Sequence, residues 1–285
     1  LLAGFLLYAL GSGIFVYLGY TLDWSRYWLG QGCVTLLQLS SYYLKAYYDA
    51  PSDAAARRNV TRPRDPLDAP ESLPRPVLLQ AALTTLTIGA IVTVLLVAHG
   101  AMNLPTLFIL GTAFLLSFFY AVPPLRLVDS GYGELSEAFL VMNLVPALAF
   151  LFQAGSIHRL LAMLTFPLTA LYLAMKLAIS FSHYASDLKQ DRKTLLVRMG
   201  WQRGMNFHNL LILGAYLLYG VATLLDLPWS LTWPPLLTLP FGLFQIWQMR
   251  QIANGASPRW RLLTFTAVSV VGLSAYFLTL ALWTG

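Results

Sequence analysis

The chain has 285 residues, 58% of them hydrophobic and only 11% charged, where a soluble domain carries about 25% charged residues. That composition excludes an ordinary water-soluble fold and places most of the chain in lipid, as helices, because backbone groups in hydrocarbon must pair within their own segment. The net charge of +6 lies in short stretches between apolar runs, which is a topology pattern and argues against nucleic acid as a partner.

Nine apolar runs, each near the ~20 residues needed to cross a bilayer, predict spans at about 1–20, 28–48, 76–98, 104–121, 134–153, 160–184, 206–226, 231–249 and 262–283. The expectation is an all-α polytopic transmembrane bundle forming one domain over 1–285. The first run opens without Met, a basic start or a small-residue cleavage site. It therefore reads as a span and not a signal peptide, with the natural N-terminus expected upstream. The single cysteine, Cys33, falls in an apolar run and reads as a small packed side chain.

Fourteen of the eighteen Lys and Arg residues fall after the second, fourth, sixth and eighth runs, which the positive-inside rule assigns to the cytoplasm. Two of these cytoplasmic segments are longer and more polar than the others. Each begins with two acids four residues apart, Asp49 and Asp53 in one, Asp187 and Asp191 in the other, and each continues into basic residues. Their four-span separation hints at an internal duplication, although the halves share no obvious identity elsewhere.

Carboxylates four residues apart on a helix share a face and can converge on a hard cation such as Mg²⁺. Neighbouring cations, among them Arg57, Arg62, Arg126, Lys189, Arg192 and Lys193, would bind phosphate oxygens directly. A diphosphate esterified to an apolar chain suits the place, with its head at the membrane surface and its tail between helices. The competing reading is that these acids only terminate helices or pair with loop arginines.

Asp187-Leu-Lys-Gln-Asp191-Arg192, with Lys193-Thr194-Leu195-Leu196-Val197-Arg198-Met199-Gly200 behind it, resembles the second aspartate motif of the UbiA superfamily of intramembrane prenyltransferases. Asp49 and Asp53 fall where the first motif, N-x-x-x-D-x-x-x-D, has its acids, and Thr61-Arg62-Pro63-Arg64-Asp65 is similar to the following N-R-P-x-R-P segment. Tyr120-Ala-Val-Pro123-Pro124-Leu-Arg126-Leu, running on to Gly131-Tyr-Gly133-Glu134, is similar to a loop of the branch that prenylates 1,4-dihydroxy-2-naphthoate in menaquinone synthesis.

The resemblance implies Mg²⁺-dependent transfer of a polyprenyl group from its diphosphate to an aromatic acceptor, in the cell membrane, with the acidic segments facing the cytoplasm. All four acids are then implied as catalytic metal ligands, with Lys45 joining the cations around the diphosphate. Three departures stand out: Lys45 replaces the Asn of the first motif, Pro51 sits between its two acids, and the second motif lacks about three residues between Arg192 and Lys193. Lys45 is expected to ion-pair with Asp49 or to bind phosphate, and Pro51 to disfavour helix through Asp49 and Ala50. These departures keep open a rival reading, a non-catalytic carrier of an isoprenoid diphosphate or quinone on the same scaffold.

Other polar residues fall within the spans. Lys176, in the sixth, is a functional candidate by position, either meeting an acceptor carboxylate or pairing with Glu137. It shares a helix face with His183 and Asp187 and lies about 16 Å along the axis from Asp187, too far for the diphosphate but within reach of another part of a pocket. His183 is read as assisting near the metal or as bonding backbone at a helix end. Tyr120 is read as orienting substrate or as an interfacial anchor. Asn143 is expected to donate between helices, and the polar run Gln38, Ser40, Ser41, Tyr42 and Tyr43 suits a cavity wall.

Overall fold

A computed structural model describes the backbone of residues 1–58, 73–189 and 192–285, and within these the side chains outside 51–58. No strand occurs among the described residues, so the all-helical expectation holds. Six helical stretches are long and apolar enough to cross a membrane. They are α3 (Arg75–Ala98), α4 (Leu104–Ala121), the continuous stretch 133–154, α7 (Arg159–Lys189), α9 (Trp201–Leu224) and α12 (Trp260–Thr284). The stretch 133–154 consists of α5 (Gly133–Phe139), a wide turn over Leu140–Leu144, and α6 (Val145–Ala154). Its widened turn precedes Pro146, which has no N–H to give and whose ring crowds the preceding turn.

The count of nine spans is not confirmed, and each of the other three expected runs departs for a physical reason. The first is α1 (Leu2–Tyr17), only 16 residues, which stops before Gly19 at φ +85°. The second lies in α2 (Trp24–Arg58), a 35-residue helix carrying Gln31, Gln38, Ser40, Ser41 and Lys45 in its middle. It runs on through Pro51, contrary to the expected helix end, because a proline withholds a single N–H. The third, 231–249, is two helices, α10 (Trp229–Leu236) and α11 (Leu239–Ala253). Pro234, Pro235 and Pro240 thin the hydrogen-bond ladder there. Thr238 at the break is buried, and its hydroxyl meets the Pro235 carbonyl at 2.7 Å, Ser274 at 2.8 Å and Tyr216 at 2.9 Å.

The ends of the chain meet. α1 packs on α6 and α12, and Trp283 donates its indole N–H to the Ala9 carbonyl at 2.9 Å. α2 lies along α3, and α7 packs against α9 and α12. Asn143, in the widened turn, donates to Thr169 at 2.7 Å and accepts from Thr165 at 2.9 Å, both on α7, so the expected interhelical bond is present. α1 and α6 approach so closely that a Cβ on Gly11 would collide with the Pro146 carbonyl.

Replacing Gly11 with Val is expected to cost about 1–3 kcal/mol, the range for overpacking a tight contact. A lowered melting temperature in detergent checks this; an unaltered one would mean the two helices are not in close contact.

Candidate functional site

Three loops at one end of the bundle and the helix ends that feed them carry the predicted chemistry. Asp49, on α2, is gripped on both carboxylate oxygens. Lys45, one helical turn earlier, reaches Oδ2 at 2.8 Å, and Arg126 donates through Nη2 to Oδ1. Lys45 therefore forms the expected ion pair. Arg126 gets there because α4 stops at Ala121, the chain passes a cis Pro123–Pro124 bond, and Arg126 takes a left-handed conformation at φ +35°. That backbone state is uncommon for a residue with a Cβ, and two acidic partners hold it: besides Asp49, Asp129 Oδ2 lies 2.7 Å from Nε.

The same loop reaches the second acidic segment. Gly131, at φ +77°, lies under the Arg198 side chain, where a Cβ would clash, and the Arg198 guanidinium stacks 4.6 Å above the Tyr132 ring. Both carboxylate oxygens of Glu134 accept from the backbone N–H of Leu195, at 3.2 and 3.3 Å. Leu195 opens the short helix α8 (Leu195–Met199), whose first amides have no partner within the helix, and Thr194 caps it through a 3.3 Å bond from Val197 N–H. Residues 121–134 thus connect the first acidic segment to the second.

At the end of α7, Asp187 is 7% exposed, and its carboxylate has no hydrogen-bond or ion-pair partner among the described residues. A carboxylate oxygen only accepts, and one with no described donor beside it is a ready ligand for a hard cation, so this end fits Mg²⁺. Lys189, Arg192 and Lys193 are exposed around it. His183 is exposed too, although it shares a face with the buried Asp187. Its ring makes no hydrogen bond among the described residues, so the expected bond to backbone is absent. Among the described residues no three His, Cys, Asp or Glu side chains converge to hold a metal. Asp53, Arg57, Arg62 and Asp191, with the segment Thr61–Asp65, lie outside the described side chains.

A cavity of about 640 Å³ opens between α1, α2, α4, α5 and α7. Gln38, Ser41, Tyr42, Tyr43 and Lys45 line it from α2, as the polar run implied; Ser40 instead is buried and bonds the Leu37 carbonyl. On the opposite wall stand Tyr120, Glu137 and Tyr172. Glu137 Oε2 forms an ion pair with Lys176 Nζ at 2.8 Å and accepts from the Tyr120 hydroxyl at 3.3 Å, while Oε1 accepts from the Tyr172 hydroxyl at 2.7 Å. Of the two readings of Lys176, the Glu137 pair is the one formed. Tyr120 is a cavity residue and not a surface anchor.

A UbiA prenyltransferase family model matches residues 5–270. The chain belongs to the UbiA prenyltransferase family, and by that membership it is a prenyltransferase. No curated protein sequence matches it. Among solved structures it is similar to that of a digeranylgeranylglyceryl phosphate synthase in membranes. There the identity is 14% and the TM-score 0.65, over 100% of this chain and 91% of the other. It is also similar to a UbiA homologue from Archaeoglobus fulgidus solved with GPP and Mg²⁺, at 17% identity and TM-score 0.62, over 99% of this chain and 97% of that one. With DMAPP and Mg²⁺ bound, the same homologue matches at 16% identity and TM-score 0.64, over 99% and 96%. At these identities the likeness establishes the fold.

Sequence reasoning did not foresee Tyr172, though its place four residues before Lys176 puts both on one helix face. Nor did it give Glu134 a partner, since that partner is a backbone N–H sixty-one residues away.

Glu134→Ala leaves the Leu195 amide without its acceptor, a loss of about 1–2 kcal/mol at a partly buried group. Amide exchange over 195–199 is expected to quicken about tenfold while that of α7 is unchanged. Equal protection in the two proteins would show that Glu134 does not hold α8.

Proposed function

We propose that the protein transfers a polyprenyl group from its diphosphate to a hydroxylated aromatic ring of the 1,4-dihydroxy-2-naphthoate type, in menaquinone synthesis. It acts as one domain over 1–285 in the cell membrane, with the acidic segments on the cytoplasmic side. The observation that carries this reading is the cavity, which has apolar and aromatic walls and is lined by the Lys45 ammonium and by a bonded carboxylate, Glu137. Family membership supports the reaction type, and the A. fulgidus homologue's complexes with GPP or DMAPP and Mg²⁺ support the donor and the metal. The likeness of residues 120–134 to the dihydroxynaphthoate branch supports the acceptor.

On this reading Asp187, with Asp191 four residues on, holds Mg²⁺, which when bound withdraws charge from the departing diphosphate. Lys189, Arg192 and Lys193 surround the same phosphates from the second segment. Lys45, Arg126, Arg57 and Arg62 approach them from the first. Asp49 contributes by holding Lys45 and Arg126 in place, and Asp53 belongs with it in the first segment. The C1–O bond of the donor breaks, its electron pair leaving with the diphosphate; a ring carbon of the acceptor bonds to C1 and gives up its hydrogen as a proton to the released diphosphate, which restores the aromatic ring. The enclosing helices keep water away from the allylic cation. Tyr120 and the Glu137–Lys176 pair form the acceptor wall, while His183 stands at the rim.

Purified protein given Mg²⁺, a polyprenyl diphosphate and 1,4-dihydroxy-2-naphthoate should release diphosphate and form a prenylated ring, and chelation should stop both. Asp187→Asn should lower turnover about a thousandfold, or ~4 kcal/mol, the scale of losing a Lewis-acid metal, at an unchanged melting temperature. Absence of product and of diphosphate release with every aromatic offered would refute the reading.

A further inference from the structure

The cavity wall presents a carboxylate, with an ammonium beside it. Lys176 carries the charge placed within a spanning helix, but it is Glu137 that lines the cavity, with Tyr120 and Tyr172, and Lys176 pairs with it at 2.8 Å. The bonds around Glu137 can be counted. An ionised carboxylate offers about four acceptor sites, two on each oxygen. On Oε2, the Tyr120 hydroxyl takes one, and the Lys176 ammonium, 2.8 Å away as an ion pair, crowds the other. On Oε1, the Tyr172 hydroxyl fills one. One acceptor site remains among the described residues, on an oxygen of a side chain that is 26% exposed and lines the cavity.

We infer that Glu137 selects the acceptor by taking a hydrogen bond from a ring hydroxyl at the open Oε1 site. The substrate class is therefore an aromatic that turns a hydroxyl donor, and not a carboxylate, toward this wall. The inference rests on the prenyl-transfer reading for what enters the cavity. A carboxylate brought to this wall would meet like charge, and an ether oxygen would leave the open site without a donor. Lys176, Tyr120 and Tyr172 are positioning residues here, since each acts on the substrate through Glu137. The bland alternative is that Glu137 only neutralises Lys176. In that case its loss would weaken every aromatic ligand alike.

Calorimetric titration of the full chain in detergent with 1-naphthol and 1-methoxynaphthalene separates the two, because the ether replaces the hydroxyl hydrogen with a methyl group, and any effect of that methyl's bulk is common to wild type and variant. The wild-type protein should bind the naphthol about tenfold more tightly than the ether, as expected for one satisfied acceptor. Glu137→Gln should bring that ratio close to one, because Lys176 draws the amide oxygen and the amide N–H₂ then faces the open site. The paired Lys176→Met/Glu137→Leu variant removes both charges and the acceptor together and should also give a ratio near one if the single variant folds poorly. A ratio near one in the wild type, or a ratio unmoved in the folded variant, overturns the inference. Turnover measured in parallel keeps the two readings apart. A binding preference that follows Glu137 without any prenylated product would refute the transferase reading alone, and product formed with no hydroxyl preference would refute this one alone.

Discussion

The bond between Lys176 and Glu137 is the constraint from which the rest of the site follows. An ammonium within a spanning helix is costly to place, and an anion beside it lowers that cost. Here the anion is on α5, and the same carboxylate also draws the hydroxyls of Tyr120 from α4 and Tyr172 from α7. Three helices are therefore registered against one another at a single point. That point sets one wall of the cavity, and through α4 and α7 it also sets where the two loop-bearing ends emerge.

From those ends the constraint passes to residues 121–134. α4 delivers the chain into a turn that aims Arg126 at Asp49, and α5 begins where Glu134 can reach the first amide of α8. One short loop is thus bonded to both acidic segments, which are separated by four expected spans. Asn143 adds a second tie between the 133–154 stretch and α7, through Thr165 and Thr169. The stretch that carries Glu134 and Glu137 is accordingly held along its length, and its carboxylates can be placed without relying on the loops themselves.

Much of this was legible from residue type and spacing, and the misses share a cause. Hydropathy located the six long apolar helices, and the rule that an intramembrane lysine needs a partner reduced Lys176 to two readings, of which the structure shows one. Asn143 was likewise predictable, since an amide in a span must bond another helix. What periodicity does not carry is how a helix responds to proline. Three prolines over 234–240 split an expected span, yet Pro51 failed to end α2. The difference lies in the number of missing N–H groups and in whether a side chain such as Thr238 can serve the freed carbonyls. Nor does sequence show which tyrosines converge. Tyr120 looked like an interfacial anchor because its partner is on another helix, and Tyr172 gave no sign beyond its register with Lys176.

The two acidic segments, alike in sequence, are electrostatically different in the fold. Asp49 is already compensated by an ammonium and a guanidinium, whereas Asp187 is buried with no partner among the described residues. Placing a divalent ion against Asp49 would set it within a few ångströms of two fixed cations, where at an effective dielectric near 20 each unit pair at 4 Å repels by about 4 kcal/mol. Lys189, Arg192 and Lys193 also stand near Asp187, but none of them is bonded to its carboxylate among the described residues, and each is exposed to solvent. On the proposed reading the lysine that replaces the first motif's asparagine therefore redistributes the work. The second segment attracts the metal, and the first offers its cations directly to the phosphate oxygens. A diphosphate lying between them would meet positive charge from both sides, while the Glu137 carboxylate in the cavity wall is left for a hydroxyl donor.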